Sequence, residues 1–320
     1  MSSVNLTEDR GRAASGIDFF RCPAFLEVEG VTHTLEIGEG HDRIAAPLVV
    51  REIPGGGLDA TSPYGYPGFS IADLPENHPI ETDTLDFSGT GMVSVFIRHC
   101  LDPDRVPPLT GATPRNVCLV ADPDLPPKSR MSDRQQIRKN ERKGYGFRIV
   151  PGAEVTEREL DDFIRVYTET MDRTGASPRY FFGSDYFRAL LGSGMAWLAM
   201  VEDGEGALAA GSLVVNSDGL LHYYLSGTGD RHLSDSPMKS LLGALVEFSA
   251  ERGTGLNLGG GITPGDRLEE FKRGFGNREV QWYTQEIVCD PDAYRELSGE
   301  RETGDFFPAY RAPTPDYRDQ

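Results

Sequence analysis

Short apolar runs broken by turn residues fill the first part of the chain. Residues 17–60 carry "AFLEVEG", "THTLEIG", "APLVVREI" and then "PGGGLDA", a pattern that predicts strands joined by hairpins. "GMVSVFIR" (91–98) and "RNVCLVAD" (115–122) read as further strands, and the Pro-rich "LDPDRVPPLTGATP" between them reads as loop. The rhythm changes after "DPDLPPKS" (122–129). A polar helix, "SDRQQIRKNERKGYG", ends at Gly144 or Gly146, and "FRIV" follows as a short strand. Leu160, Phe163, Ile164 and Tyr167 recur at helical spacing, and "SDYFRALLGSG" is a second helix capped by Ser184 or Asp185. Three strands, "AWLAMVE", "ALAAGSLVVN" and "LLHYYLSG", are separated by the turns "DGEG" and "SDG". A long helix over "SDSPMKSLLGALVEFSAERG" has Ser236 as its N-cap, Pro237 in its first turn and Gly253 at its end. A strand "GLNLGG", a short helix "DRLEEFKRGFG" and a last strand "EVQWYTQEIV" complete the pattern.

This order predicts a mixed α/β (α+β) fold in two domains. Residues 1–16 read as a frayed polar tail, 17–125 as a first domain and 126–292 as a second. Residues 293–320 read as a charged, Pro-rich tail, disordered in part or folded back on the first domain. No internal repeat is visible at the level of sequence.

The length of 320 residues suits one large domain or two, and 38% apolar with 26% charged residues is ordinary for a folded protein. Runs such as "MAWLAMV" are too short to cross a bilayer, and the N-terminus lacks the apolar core of a secretory signal, so a cytoplasmic location is expected. Cys22, Cys100, Cys118 and Cys289 are scattered, and the six histidines form no metal motif, so no metal is expected. The net charge of −18 speaks against nucleic acid as a partner, but its distribution does not. Between Lys128 and Arg148 eight cations face only Asp133 and Glu141, a local balance of +6 that leaves −24 on the rest. That segment is either a solvated helix face or a dock for phosphates.

Five stretches carry a family resemblance. "TSPYGYPG", "SDRQQIRKNERKGYGFRI", "YTETMDRTGASPRYFFGSDYF", "HYYLSGT" with the long helix and "NLGG", and "LEEFKRGFG" occur in one order. Together they resemble the Fem-type branch of the GNAT acyltransferases, the aminoacyl-tRNA-dependent peptidyltransferases and their single-chain relatives. The match spans roughly 60–290 and lacks the long coiled-coil arm of some Fem proteins. The resemblance implies tandem GNAT-like domains, the first degenerate and acceptor-binding, the second catalytic, with a cleft between them.

It also implies roles. Lys272, in "FKRGFG", matches the family's functional lysine, where a cation beside a tetrahedral oxyanion would lower the barrier to ester aminolysis. The residues alone favour an exposed lysine on a short amphipathic helix whose Phe271 and Phe275 pack inward, and the resemblance reverses that. Gly259 and Gly260 end a strand that would splay from "HYYLSGT", so that the donor threads between them. His222 and Tyr224 would alternate onto one face of that strand and Tyr223 onto the other. Tyr64, Gly65 and Tyr66 suit acceptor recognition, or a hairpin packing on its own core, and Arg173 is a candidate anion clamp or a helix-end arginine. Phe271 completes the substrate-binding set. Arg130, Arg134, Arg138, Lys139, Arg142 and Lys143 are the candidate tRNA contacts. "RHLSDSPMK" stands where coenzyme A-binding GNAT domains have a glycine-rich phosphate loop, and Asp235 and Pro237 argue against a pyrophosphate there.

The expected activity is transfer of an amino acid from aminoacyl-tRNA to the amine of a small or peptide acceptor, in specialised-metabolite or cell-wall peptide biosynthesis. No cofactor is expected; aminoacyl-tRNA is the co-substrate and acyl-CoA the alternative donor. A non-enzymatic GNAT-like binding module is the third reading. The general base is open between water, the substrate, Glu269 and Glu270.

Overall fold

The computed structural model describes residues 4–38, 43–71, 81–102, 109–300 and 306–312. It divides into two compact units, Met1–Arg115 with Trp282–Gln320, and Asn116–Gln281. The break falls at 281, not at 292, because the last long strand pairs inside the first unit.

The first unit contains β1 (Val4–Thr7), α1 (Pro23–Val28), β2 (His33–Ile37), β3 (Ile44–Glu52), β4 (Leu58–Thr61), β5 (Ser70–Ile71), β6 (Met92–Arg98), β13 (Arg278–Val288, which begins in the second unit) and α7 (Pro291–Ser298). The strands run β1-β2-β3-β4-β6-β13, with β5 on the start of β3. Neighbours are antiparallel except β4 and β6, which are parallel. Leu35, Ile37, Ile44, Leu48, Val95 and Ile97 form a fully buried core.

Two expectations change here. "AFLEVEG" is a helix, not a strand, because Pro23 sits at its first position and the adjacent Phe25 and Leu26 both turn inward. Val4–Thr7, expected to fray, is an edge strand on β2, since Val4 and Leu6 pack on the core. Residues 1–3 lie outside the described region. The C-terminal segment Phe306–Ala312 rests on this unit through Tyr310 and Ser94 (2.7 Å), Arg311 and Asp59, and Phe307 stacked on Phe96. The rest of the expected tail, 301–305 and 313–320, is outside the described residues.

The second unit contains β7 (Ala112–Ala121, which begins in the first unit), α2 (Met131–Arg142), β8 (Gly146–Pro151), α3 (Glu157–Thr174), α4 (Ser184–Leu191), β9 (Ala196–Glu202), β10 (Leu208–Ser217), β11 (Leu220–Thr228), α5 (Pro237–Ala250), β12 (Gly255–Gly259) and α6 (Arg267–Lys272). The order is β7-β12-β11-β10-β9-β8, antiparallel except for the parallel pair β11 and β12.

Each unit therefore has four antiparallel strands, a fifth parallel to the fourth, and a sixth antiparallel to the fifth. The sixth strands are exchanged. β7, which follows the fifth strand of the first unit in the chain, pairs in the second, and β13 does the converse.

Helix α3 opens with a full capping box between Thr156 and Glu159 and ends at Gly175, whose φ is 60°. Its buried face, Leu160, Phe163, Val166 and Tyr167, lies on β10 and β11. The approach is close because two strand positions lack side chains. A Cβ on Gly211 would come within 2.8 Å of the Phe163 ring, and one on Gly227 within 2.4 Å of the Val166 carbonyl. Leu241, Leu242 and Leu245 of α5 bury against Leu119, Val214 and Leu256. Ser236 is the N-cap residue of α5 as expected, in a left-handed conformation (φ 48°) and without a side-chain bond, whereas the residue before α4 is Gly183 and not Ser184 or Asp185.

Candidate active site

The site is built where two parallel strands part. β11 and β12 share three rungs, from Leu220–Gly255 to His222–Asn257. Beyond them β12 turns to β7 through Gly259 and Leu119, while β11 continues on β10 alone to Thr228. The register of β10 and β11 slips at the same level: Leu213 faces Leu225 and Val214 faces Tyr223, so Tyr224 is the extra residue of a bulge. A bulge bends a strand and re-aims its side chains. It breaks the simple alternation expected for His222, Tyr223 and Tyr224.

The last shared rung is a polar staple. His222, 2% exposed, donates from Nε2 to the Ser217 carbonyl (3.2 Å) and accepts at Nδ1 from the Asn257 amide (3.0 Å). Burial lowers its pKa to about 4, so the ring is neutral. Asn257 also accepts from the Gly259 N–H at 2.8 Å, which fixes the strand end. His222 thus ties the two strands together at the last shared rung of the fork. Asn257 was not among the residues singled out from sequence; its position two before the glycines was its only signal. Tyr223 bonds Met238 Sδ (3.2 Å) at the start of α5 and accepts from Ser226 (2.6 Å), and burial raises its pKa to about 12.

After β12 the chain turns through Gly259 (φ 73°), Gly260 and Gly261. Gly260 lies on the Val117 carbonyl and Gly261 on Asp266; a Cβ at either would come within 2.5 Å. Asp266 caps α6 and collects three N–H groups, from Glu269 (2.8 Å), Ile262 (2.6 Å) and Thr263 (3.0 Å), which hold its pKa below the ordinary carboxylate value. Lys272, at the end of α6, is 8% exposed and donates from Nζ to the Gly260 carbonyl at 2.7 Å. It is therefore not a surface lysine. Burial pushes its pKa down to about 8, opposed by Cys118 and Asp266. Phe271 packs edge-on against Phe275 at 5.8 Å.

The two carboxylates considered as bases are engaged. Glu269 accepts from the Gly265 N–H and pairs with Arg273, which lowers its pKa, and Glu270 pairs with Arg130 at 2.6 Å. Arg173 is not an open anion clamp. It pairs with Asp230 and donates to the Thr228 carbonyl, tying α3 to the end of β11.

Helix α2 separates its faces cleanly. Asp133, Gln136, Ile137 and Asn140 turn inward: Asp133 pairs with Lys239 (2.9 Å), and Gln136 and Asn140 both donate to the Asp235 carbonyl (2.9 Å). Arg134, Arg138, Lys139 and Arg142 are exposed, and among the described residues none of these four has an ion pair. Lys143 and Arg130 differ, being paired with Asp235 and Glu270.

In the first unit, the loop at 62–70 is firmly held. Gly65 (φ 103°) lies on the Phe20 ring, where a Cβ would come within 2.5 Å, and buried Arg21 donates to the Pro67 carbonyl. Tyr66 sits edge-on to Phe20 (5.7 Å) and Trp282 (5.8 Å), and the Tyr64 N–H bonds Glu29. Both tyrosines are half-buried, so the loop combines internal packing with partial exposure.

Residues 127–273 match the family model described as an acetyltransferase (GNAT) domain. Solved structures agree in fold. FemX aligns with a TM-score of 0.59 at 11% identity, over 92% of this chain and 99% of its own. The C-terminal domain of a lysylphosphatidylglycerol synthetase candidate from Agrobacterium fabrum gives 0.55 at 14%, over 89% and 93%. L-PGS from Bacillus licheniformis gives 0.52 at 15%, over 77% and 81%. No curated protein matches in sequence.

Proposed function

With a GNAT domain as its second unit and the fold of FemX over most of its length, the protein is one for which we propose an aminoacyltransferase activity: transfer of an amino acid from aminoacyl-tRNA to an acceptor amine, forming an amide. The observation that carries this reading is Lys272, a buried amine with its pKa near 8 at the mouth of the β11/β12 fork.

The acceptor amine attacks the ester carbonyl. A C–N bond forms, the carbonyl oxygen gains charge, and the C–O bond to the terminal ribose breaks. The Lys272 ammonium stabilises that oxyanion in a site where water is scarce. A pKa near 8 also lets it give a proton to the departing ribose oxygen and recover one from the attacking ammonium.

The start of α5 favours tRNA over coenzyme A as the donor. A helix N-terminus binds phosphate through free N–H groups. Pro237 has none, the Lys239 N–H bonds the Ser236 carbonyl (3.0 Å), and Asp235 stands directly before them. Lys143 holds the Asp235 carboxylate ionised. The exposed cations of α2 supply the phosphate contacts instead. The GNAT family description keeps an acyl-CoA donor as the second reading.

The test pairs two titrations. Bulk aminoacyl-tRNA is mixed with the protein at low and moderate salt, and acetyl-CoA is titrated by calorimetry. Salt-sensitive tRNA binding, amide formation with an added amine pool and no heat from acetyl-CoA are expected. Clear coenzyme A binding with indifference to tRNA would overturn the proposal.

A further inference from the structure

One buried nucleophile takes no part in the proposed transfer. Cys118 of β7 is 3% exposed and is the one cysteine of the second unit; Cys22, Cys100 and Cys289 belong to the first. Its chain neighbours place it beside Lys272. A Cβ on Gly260 would come within 2.5 Å of the Val117 carbonyl, and the Gly260 carbonyl is the acceptor of the Lys272 amine at 2.7 Å. A Cβ on Gly276 would come within 2.9 Å of the Leu119 side chain, and the Gly276 N–H bonds the Lys272 carbonyl at 3.0 Å. Both flanks of Cys118 therefore rest on the glycines that hold Lys272, one at its amine and one at its main chain.

The two side chains also act on each other's charge. Of the groups that oppose the fall in the Lys272 pKa, Cys118 is stronger than Asp266, which caps the same helix. Such an influence falls with distance, so the sulfur lies close to the amine. Both groups are buried, which closes them to bulk water. With its pKa at about 8, about a tenth of the amine is neutral at pH 7, and the neutral amine is the nucleophilic form.

We propose that Cys118 and Lys272 are an oxidative modification site, which a peroxide closes as a sulfur–nitrogen link. The thiol takes one oxygen from the peroxide and becomes a sulfenic acid, and water leaves. The neutral Lys272 amine then attacks that sulfur. The S–N bond forms, the S–O bond breaks, and the amine proton leaves with the hydroxide as a second water. The product is a sulfenamide with two hydrogens fewer than the reduced pair. A small thiol reverses it by attacking the sulfur and freeing the amine, and a second thiol then releases Cys118 and carries the oxidation away as a disulfide. No other cysteine of the unit competes for the sulfenic acid. The link consumes the lysine charge used in the proposed transfer, so oxidation switches transfer off and reduction restores it. The link itself goes beyond the aminoacyltransferase reading and forms whether or not that reading holds.

The test treats the full chain, freed of reductant, with hydrogen peroxide, followed by trypsin and mass spectrometry. Residues 116–128 should appear joined to residues 268–273 with the loss of two hydrogens and no cleavage after Lys272. Dithiothreitol should separate them. Dimedone, which captures sulfenic acids, should label Cys118 at least about fivefold more in Lys272→Arg than in the native protein, because guanidinium does not displace the water. Circular dichroism checks that the variant folds. Three results in the native protein overturn the proposal without any variant: Cys118 carried to sulfinic acid with no linked peptide, Cys118 joined to another cysteine, or Cys118 unchanged at a peroxide concentration that oxidises the half-buried Cys289. Absence of the link in a protein that transfers amino acids overturns this inference alone. Transfer that persists in fully linked protein overturns the role of Lys272 and leaves the link standing.

Discussion

The Lys272 amine donates to the Gly260 carbonyl at 2.7 Å, across the turn that joins β12 to α6. The contact sets the amine at the end of the strand fork and leaves it 8% exposed. A buried ammonium with one carbonyl partner is poorly solvated, which is why its pKa falls from 10.5 to about 8. Transfer that needs the ammonium should therefore fade as pH rises through about 8. Lys272→Arg should flatten that limb at a lower overall rate, because guanidinium stays charged, and Lys272→Ala should lose about a hundredfold or more. Folding responds in the opposite sense. The unfolded chain keeps this proton up to 10.5, so stability rises between about 8 and 10.5. A transfer rate flat to pH 10 in the native protein would remove Lys272 from the proposed chemistry.

Gly260→Ala should damage both fold and site. The new Cβ would meet the Val117 carbonyl at 2.5 Å, and backbone cannot swing aside as a side chain can. A cost of roughly 1–3 kcal/mol is expected from urea unfolding. Unchanged stability would mean that the turn is looser than this packing implies.

His222 predicts acid sensitivity. Its pKa falls from 6.5 to about 4 on burial, so the unfolded state takes up a proton first as pH drops. The stability it contributes is complete above 6.5 and is lost as pH falls towards 4, by up to about 3 kcal/mol. His222→Gln should reduce the slope of stability against pH in that window. An identical slope in the variant would assign the sensitivity to the carboxylates.

Asp230→Asn should release Arg173. The ion pair is largely exposed, so stability should change by less than about 1 kcal/mol. Inorganic pyrophosphate should bind the variant more tightly than the native protein, as calorimetry would record. No gain would show that the Thr228 carbonyl and the helix end keep the guanidinium in place.

Much of the second unit is legible in its sequence because its signals are local. Helical spacing, turn pairs and the terminal Gly253 need only neighbouring residues, and they place α3, α5 and β9 to β12. The exposed arginines of α2 are likewise readable from their spacing. What escaped depends on distant partners. The burial of Lys272 follows from β7 and the glycine turn, which the helical pattern of α6 does not contain. Arg173 reads as a clamp until Asp230, far along the chain, fills it. The bulge at Tyr224 is a property of two strands together, so alternation within one strand could not reveal it. Pro23 did carry the signal for α1, but the apolar rhythm around it suggested a strand.

The exchange of sixth strands has a consequence for synthesis. Ser94 of β6 meets Val288 of β13, so that rung forms only after nearly two hundred further residues have been made. Until then β6 leaves the ribosome with one side unpaired, and an unpaired strand side is a template for wrong partners. The first half of the chain should therefore be its most vulnerable part while nascent. An expression fragment ending before β13 should aggregate, and adding residues 278–298 as a separate peptide should help to keep it in solution.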